Sequence, residues 1–187
     1  MEPAPPAEPP APTRIREAAA EDLPAIVGIY IRAYAQPPWL EHHEPAGAER
    51  YLRWVLGVPQ TFGLVVEEAG QVRGFILAGR RAYADFVEDW ERLADPPPEG
   101  WPPVPGQLGY IWELAVDPGA QRRGHGAALL QAAIERLRRE GVEAVLLRSS
   151  ERAIAAATLY RRFGFQRLPI HERYDPLAGP WLLRLRT

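Results

Sequence analysis

The stretch Leu114-Ala-Val-Asp-Pro-Gly-Ala-Gln-Arg-Arg-Gly124-His-Gly126-Ala-Ala-Leu-Leu130 constrains this chain more than any other. An apolar run over residues 110–116 meets Asp117-Pro118-Gly119, a turn signal that ends a strand. A loop with glycines at 124 and 126 opens directly into a helix predicted over 126–140. There Leu129, Leu130, Ala133, Ile134 and Leu137 recur at helical spacing, and Gly141 supplies the stop. The first turn of such a helix carries N–H groups without intrahelical acceptors, and its peptide dipoles make that end partly positive. The glycines let a bulky anion reach the main chain, and Arg122 and Arg123 add charge, so the segment reads as an anion cradle suited to a diphosphate. No Gly-Lys-Ser/Thr follows, and the third position of a Gly-x-Gly-x-x-Gly fingerprint is Leu129, so neither nucleotide loop is matched.

The remaining periodicity predicts strands and helices in alternation. A short strand begins at Ile15. Asp22 reads as the N-cap, with Pro24 in the first turn, of a helix carrying Ile26, Ile29, Tyr30 and Ala33. A second helix is predicted over 46–57, a hairpin over 62–67 and 72–79 turning near Gly70, and a strand over 144–147. A helix over 153–163 and closing strands over 165–168 and 181–185 complete an α/β (α+β) sheet with helices on its faces. Two proline-rich tracts interrupt this pattern. Residues 3–12 hold six prolines and no large apolar side chain, which predicts a disordered tail over 1–12. Residues 96–105 hold six more, inside an insertion at about 81–107 whose Tyr83, Phe86, Trp90 and Trp101 predict that it packs on the body. A single domain over 13–187 follows.

Composition removes several function classes. With 187 residues and no cysteine, the chain has neither a disulfide framework nor a thiolate nucleophile or ligand. A formal charge of −2 gives no bias toward nucleic acid, and no run is long and apolar enough for a membrane span. The N-terminal residues lack the basic and apolar regions of a secretory signal, so a soluble cytoplasmic protein without membrane or nucleic-acid partners is the expectation.

Gln121-Arg-Arg-Gly124-His-Gly126 resembles the Gln/Arg-x-x-Gly-x-Gly/Ala signature of the GNAT superfamily of N-acetyltransferases. Thr158-Leu-Tyr160-Arg-Arg-Phe163-Gly164-Phe165 is similar to that superfamily's second hallmark, in the right order downstream, and the likeness spans about residues 13–187. The resemblance implies a mixed sheet whose fourth and fifth strands splay apart. It further implies that acetyl-CoA sits in that gap as co-substrate, its pantetheine beside Leu114, Ala115 and Val116. Its pyrophosphate would lie on the amides of Gln121, Arg122, Arg123, Gly124, His125, Gly126 and Ala127. Many relatives carry an Asn near the start of the next helix; this chain has none, and Ser149, Ser150 or a bound water are the replacements on offer.

Amide formation needs three groups. An amine with a pKa near ~10.4 must lose a proton, and Glu113 is the candidate general base. In so apolar a run it faces either solvent or a functional cleft, and a bulge there would defeat any argument from strand parity. The oxyanion needs a preorganised donor, which the resemblance assigns to a main-chain N–H at about Leu114 or Ala115. The departing thiolate needs a proton, and Tyr160 matches the family's donor; it reads equally as a core tyrosine, or as both.

For the acceptor, the resemblance implies a primary amine of a small molecule or peptide. His42, His43 and Glu44 are adjacent on a loop, a pattern that favours solvated side chains or a substrate contact over a metal site. Six carboxylates against Arg92 between residues 85 and 99 would steer a cationic amine if they overhang the cleft, and are otherwise a solvated acidic loop. Trp39, Tyr83, Trp90 and Trp101 wall an acceptor pocket or pin the loops. Homodimers are common among relatives, although no residue argues for one here. The competing reading is a non-catalytic acyl-CoA-binding or regulatory module that keeps the cradle without the chemistry.

Overall fold

The computed structural model describes residues 13–93 and 108–185. The 1–12 tail, the proline-rich tract and Trp101 lie outside the described residues, as do the side chains of Trp90 and Arg92. Strands β1 (Thr13–Glu17), β2 (Thr61–Glu68), β3 (Gln71–Arg81), β4 (Leu108–Val116), β5 (Ala144–Ser150), β6 (Gln166–Arg167) and β7 (Ala178–Arg184) form one sheet, in the order β1-β2-β3-β4-β5-β7-β6. Every neighbouring pair is antiparallel except β4 and β5, which run parallel. Helices α1 (Leu23–Tyr34), α2 (Pro45–Gly57), α3 (Tyr83–Leu93), α4 (His125–Arg139) and α5 (Ile154–Arg162) cover it on both faces.

Side-chain alternation along the strands sorts the core into layers. Leu64, Val66, Ile76, Ile111, Val145 and Leu147 face α4 and α5, whose Leu129, Leu130, Leu137 and Tyr160 close that side. Val65, Phe75, Leu77 and Ala115 point the other way, against Ile26, Ile29 and Tyr30 of α1 and Leu52 and Val55 of α2. A third cluster sets Phe86 of α3 on Leu108, Leu146 and Leu182. The predicted insertion therefore contributes a helix that caps the α1–α2 side of the sheet's second half. Its amphipathic spacing was hidden by a high charge content and by the prolines that follow.

Strand and helix ends differ from the sequence reading by a few residues, as expected where capping and pairing set them. The largest shifts are at β5, which runs on to Ser150, and β7, which begins at Ala178. The hairpin turn is as predicted: Ala69 and Gly70 both have positive φ, 52° and 72°, matching the twist of the flanking strands. One capping assignment is corrected. Asp22 stands at the N-cap of α1, but its side chain makes no cap bond. The carboxylate instead accepts two bonds from Arg16, at 2.6 and 2.9 Å, and one from the Ala19 amide at 2.8 Å. A guanidinium within reach outcompetes a neutral amide for a carboxylate. Among the described residues no helix is long and apolar enough to cross a membrane.

Candidate active site

The parallel pairing of β4 with β5 covers only Leu108↔Ala144 to Ile111↔Leu147. Beyond it both strands continue, to Val116 and Ser150, without pairing to each other. This is the splay the sequence led us to expect. On its other edge β4 stays bonded to β3, and the Asp117 amide donates to the Arg73 carbonyl at 2.8 Å. Because main-chain groups alternate sides along an antiparallel ladder, Ala115 and Glu113 also turn theirs toward β3, whereas Leu114 and Val116 turn theirs into the gap. Of the two residues named for an oxyanion donor, Leu114 therefore presents its amide to the gap, and Ala115 does not. Ala115 also sends its side chain into the α1–α2 core.

The register of β3 and β4 slips between Leu77 and Ala78: Leu77 faces Glu113 while Ala78 faces Ile111, leaving Trp112 as the extra residue of a bulge. The slip turns Glu113 onto the same face as Leu77, where it is only 7% exposed. Tyr34, the last residue of α1, donates its hydroxyl to Glu113 Oε2 at 2.5 Å, and Tyr51 of α2 donates to Oε1 at 2.6 Å. Burial pushes the Glu113 carboxyl above its ordinary range; the two phenols pull it back down without cancelling that effect. Burial and the neighbouring carboxylate likewise push both phenols up, so they stay protonated donors.

Tyr160 approaches from the opposite face, on α5. Its ring packs 5.8 Å from Phe165 and 6.1 Å from Trp181, and among the described residues its hydroxyl has no recorded hydrogen-bond partner. Burial, and then the charge of Glu113, raise its pKa above the ordinary phenol value. Tyr160 is thus a core tyrosine by its ring packing.

The loop from Asp117 to the start of α4 is braced by its own side chains. Asp117 accepts from the Gly119 amide at 3.0 Å and from Arg32 Nη2 at 2.6 Å. Burial opposes ionisation of Asp117, but these bonds outweigh it and hold the carboxyl below its ordinary range. Gln121 Nε2 donates to the Val116 carbonyl at 3.3 Å, and Arg123 bonds Glu68 at 3.1 Å and the Gly119 carbonyl at 3.3 Å. Arg123 therefore braces the loop, and exposed Arg122 is the arginine left facing outward. Arg122 and Gly124 have φ of 63° and 87°, which curls successive N–H groups toward one side. The first intrahelical bond of α4 begins at the Ala128 amide, leaving those of His125, Gly126 and Ala127 without helical acceptors. A Cβ at Gly124 would meet nothing within 4 Å, and one at Gly126 only Leu159 and Val116 at 3.7 Å, so there is room beside both glycines. That open row of donors fits a diphosphate. His125 is buried at 4% exposure, its Nε2 3.9 Å from Glu68 and without a hydrogen bond.

Other sequence-singled residues fall around this centre. Ser150 bonds Asp175 at 3.2 Å, whereas Ser149 lies on the same strand face as Leu147, toward α5, without a recorded side-chain partner. His43 pairs with Glu41 at 2.7 Å and its ring lies tilted 4.9 Å from Tyr30, and Trp39 packs 5.9 Å from Tyr34, so both pin the α1–α2 loop. Within the acidic insertion, Asp89 pairs with Arg81 at 2.5 Å. The sequence reading overlooked Arg148 of β5, clamped by both oxygens of Glu172, and the pair Tyr34 and Tyr51.

The acetyltransferase (GNAT) family model matches residues 26–165. A mycothiol acetyltransferase of Geodermatophilus obscurus is 41% identical over 96 residues, which are 50% of this chain and 29% of that protein. A mycothiol acetyltransferase of Kocuria rhizophila is 30% identical over 167 residues, covering 83% of this chain and 53% of that one. The chain thus spans 29% and 53% of the length of these two curated relatives. In fold it is similar to the PaiA N-acetyltransferase of Thermoplasma acidophilum, solved in complex with coenzyme A, with a TM-score of 0.65 and 14% identity over 93% of this chain and 99% of that one.

Proposed function

The chain belongs to the acetyltransferase (GNAT) family, and we propose that it transfers an acetyl group from acetyl-CoA to the primary amine of a small molecule. The names of its curated relatives favour a small-molecule acceptor over a peptide. The observation that carries the reading is the gap between β4 and β5 beyond Ile111, with a buried carboxylate on one side and a phenol on the other.

In this reading the amides of His125, Gly126 and Ala127, with Arg122, hold the diphosphate, and Ser149 stands in for the missing Asn beside the pantetheine arm. Glu113 accepts the proton of the attacking amine. Burial raises its pKa, making it a stronger base than an exposed carboxylate, and the phenols' hydrogen bonds favour its ionised form. The Leu114 amide donates to the carbonyl oxygen as negative charge gathers there, at no reorganisation cost because β4 fixes it. Tyr160 gives its hydroxyl proton to the departing sulfur.

Purified protein supplied with acetyl-CoA and a panel of primary amines should release free CoA, read with a thiol reagent. Release with no amine in the panel, alongside tight coenzyme binding, would favour the binding-module alternative.

A further inference from the structure

We propose that Tyr34 and Tyr51 are positioning residues that fix the Glu113 carboxylate by taking one oxygen each, aiming the free lone pairs into the gap between β4 and β5. This rests on Glu113 being the base. The phenols come from two different helices, and their bonds of 2.5 and 2.6 Å lie in the short range of hydroxyl-to-carboxylate contacts. A carboxylate has about four lone-pair sites, so two remain for the incoming amine. The donors are themselves immobilised. Tyr30 lies between them, 4.6 Å from the Tyr34 ring and 5.8 Å from the Tyr51 ring, with His43 against Tyr34 at 6.1 Å and Trp54 against Tyr51 at 6.1 Å. The bulge at Trp112 delivers the carboxylate to this pair; either alone would leave it one rotatable step from misalignment.

Other charged and titratable groups also act on Glu113. Glu41 from the α1–α2 loop raises its pKa and Arg148 of β5 lowers it, and its charge is felt at Tyr30, Tyr110 and Tyr160. None of these makes a recorded hydrogen bond to it, so the phenols are what fixes its orientation.

The test is the pH dependence of kcat/KM in Tyr34→Phe, Tyr51→Phe and the double variant, which keep every ring in place. Losing a donor to the ionised form should move the acidic limb upward by on the order of one pH unit per phenol. Activity should then fall about tenfold at low pH and recover at high pH. Tyr30→Phe, which removes a hydroxyl from the same cluster, should leave the limb in place. In protein labelled with ¹³C at the glutamate carboxyl, the Glu113 signal, assigned by its loss in Glu113→Gln, should titrate at correspondingly higher pH in the phenol variants. If one variant does not fold, the other single variant and its titration decide the matter. An unmoved limb and titration, with Glu113→Gln inactive, would overturn the positioning role alone. Full activity in Glu113→Gln would overturn the base assignment itself.

Discussion

Glu113 stands opposite Leu77 in the β3–β4 ladder only because one extra residue, Trp112, has been admitted to β4. Without the slip, strand parity would turn the carboxylate toward α4 and α5 and leave Tyr34 and Tyr51 without their acceptor. The substitution Glu113→Gln keeps shape and removes the base. It should lower kcat/KM by about 10²–10⁴-fold, while coenzyme affinity measured by calorimetry stays unchanged.

The same substitution should also change stability. The folded-state pKa of Glu113 lies above its unfolded value because burial penalises the charge. Its contribution to stability is therefore complete below the unfolded pKa of about 4.3 and is lost as pH rises through the folded pKa. Thermal melts of wild type and Glu113→Gln should nearly coincide at pH 4, and the variant should melt higher at pH 8. A variant that melts lower at pH 8 than at pH 4, relative to wild type, would contradict the burial argument.

Tyr160 separates packing from chemistry. Its ring contacts Phe165 and Trp181, while its hydroxyl is unpartnered among the described residues. Tyr160→Phe should keep the melting temperature and lower kcat by up to about 10²-fold. Tyr160→Ala should destabilise the fold by about 3–5 kcal/mol, because the vacated volume lies in the core. Chemical denaturation beside single-turnover kinetics distinguishes the two.

At the cradle, Gly126→Ala should fold well, since its Cβ would make only ordinary contacts at 3.7 Å. Gly126→Leu should place side-chain carbons over the first-turn amides and weaken coenzyme A by about 10–100-fold, the worth of one or two hydrogen bonds to a charged group. Arg122→Ala should weaken coenzyme A in a salt-dependent way, whereas Arg123→Ala should lower stability as well, because Arg123 bonds Glu68 and the Gly119 carbonyl. Calorimetry at two salt concentrations reads both effects.

The Arg16–Asp22 pair should set part of the acid sensitivity. The Arg16 guanidinium holds the Asp22 carboxyl below its usual range, so its stabilisation is present above the unfolded pKa of about 3.9 and is lost as pH falls through the lower folded value. Asp22→Asn should cost about 1–2 kcal/mol at pH 7, allowing for the partly exposed guanidinium, and less near pH 2. Urea melts at the two pH values test this.

What could be read from the sequence divides along physical lines. The Gly124–Gly126 loop, the helix after it and Tyr160 on the next helix were legible because each is a local pattern whose spacing carries its own geometry. Glu113 was recognisable as a charge in an apolar strand, but its face was not, since a bulge depends on which residues of β3 it meets. Tyr34 and Tyr51 left no trace: they lie 79 and 62 residues from Glu113, and only the packing of α1 and α2 on one face of the sheet brings them there. Asp22 misled for a related reason, its local capping signal being overridden by Arg16 from the neighbouring strand.

The interrupted seam between β4 and β5 has a mechanical meaning as well. Only the pairs from Leu108↔Ala144 to Ile111↔Leu147 stitch the two halves of the sheet along that edge. Whatever lies farther along the opening must act as mortar between masonry blocks, lending the peptide groups of Leu114 the company that a neighbouring strand denies them. If acetyl-CoA fills that opening as proposed, binding it and joining the two halves of the sheet become a single event.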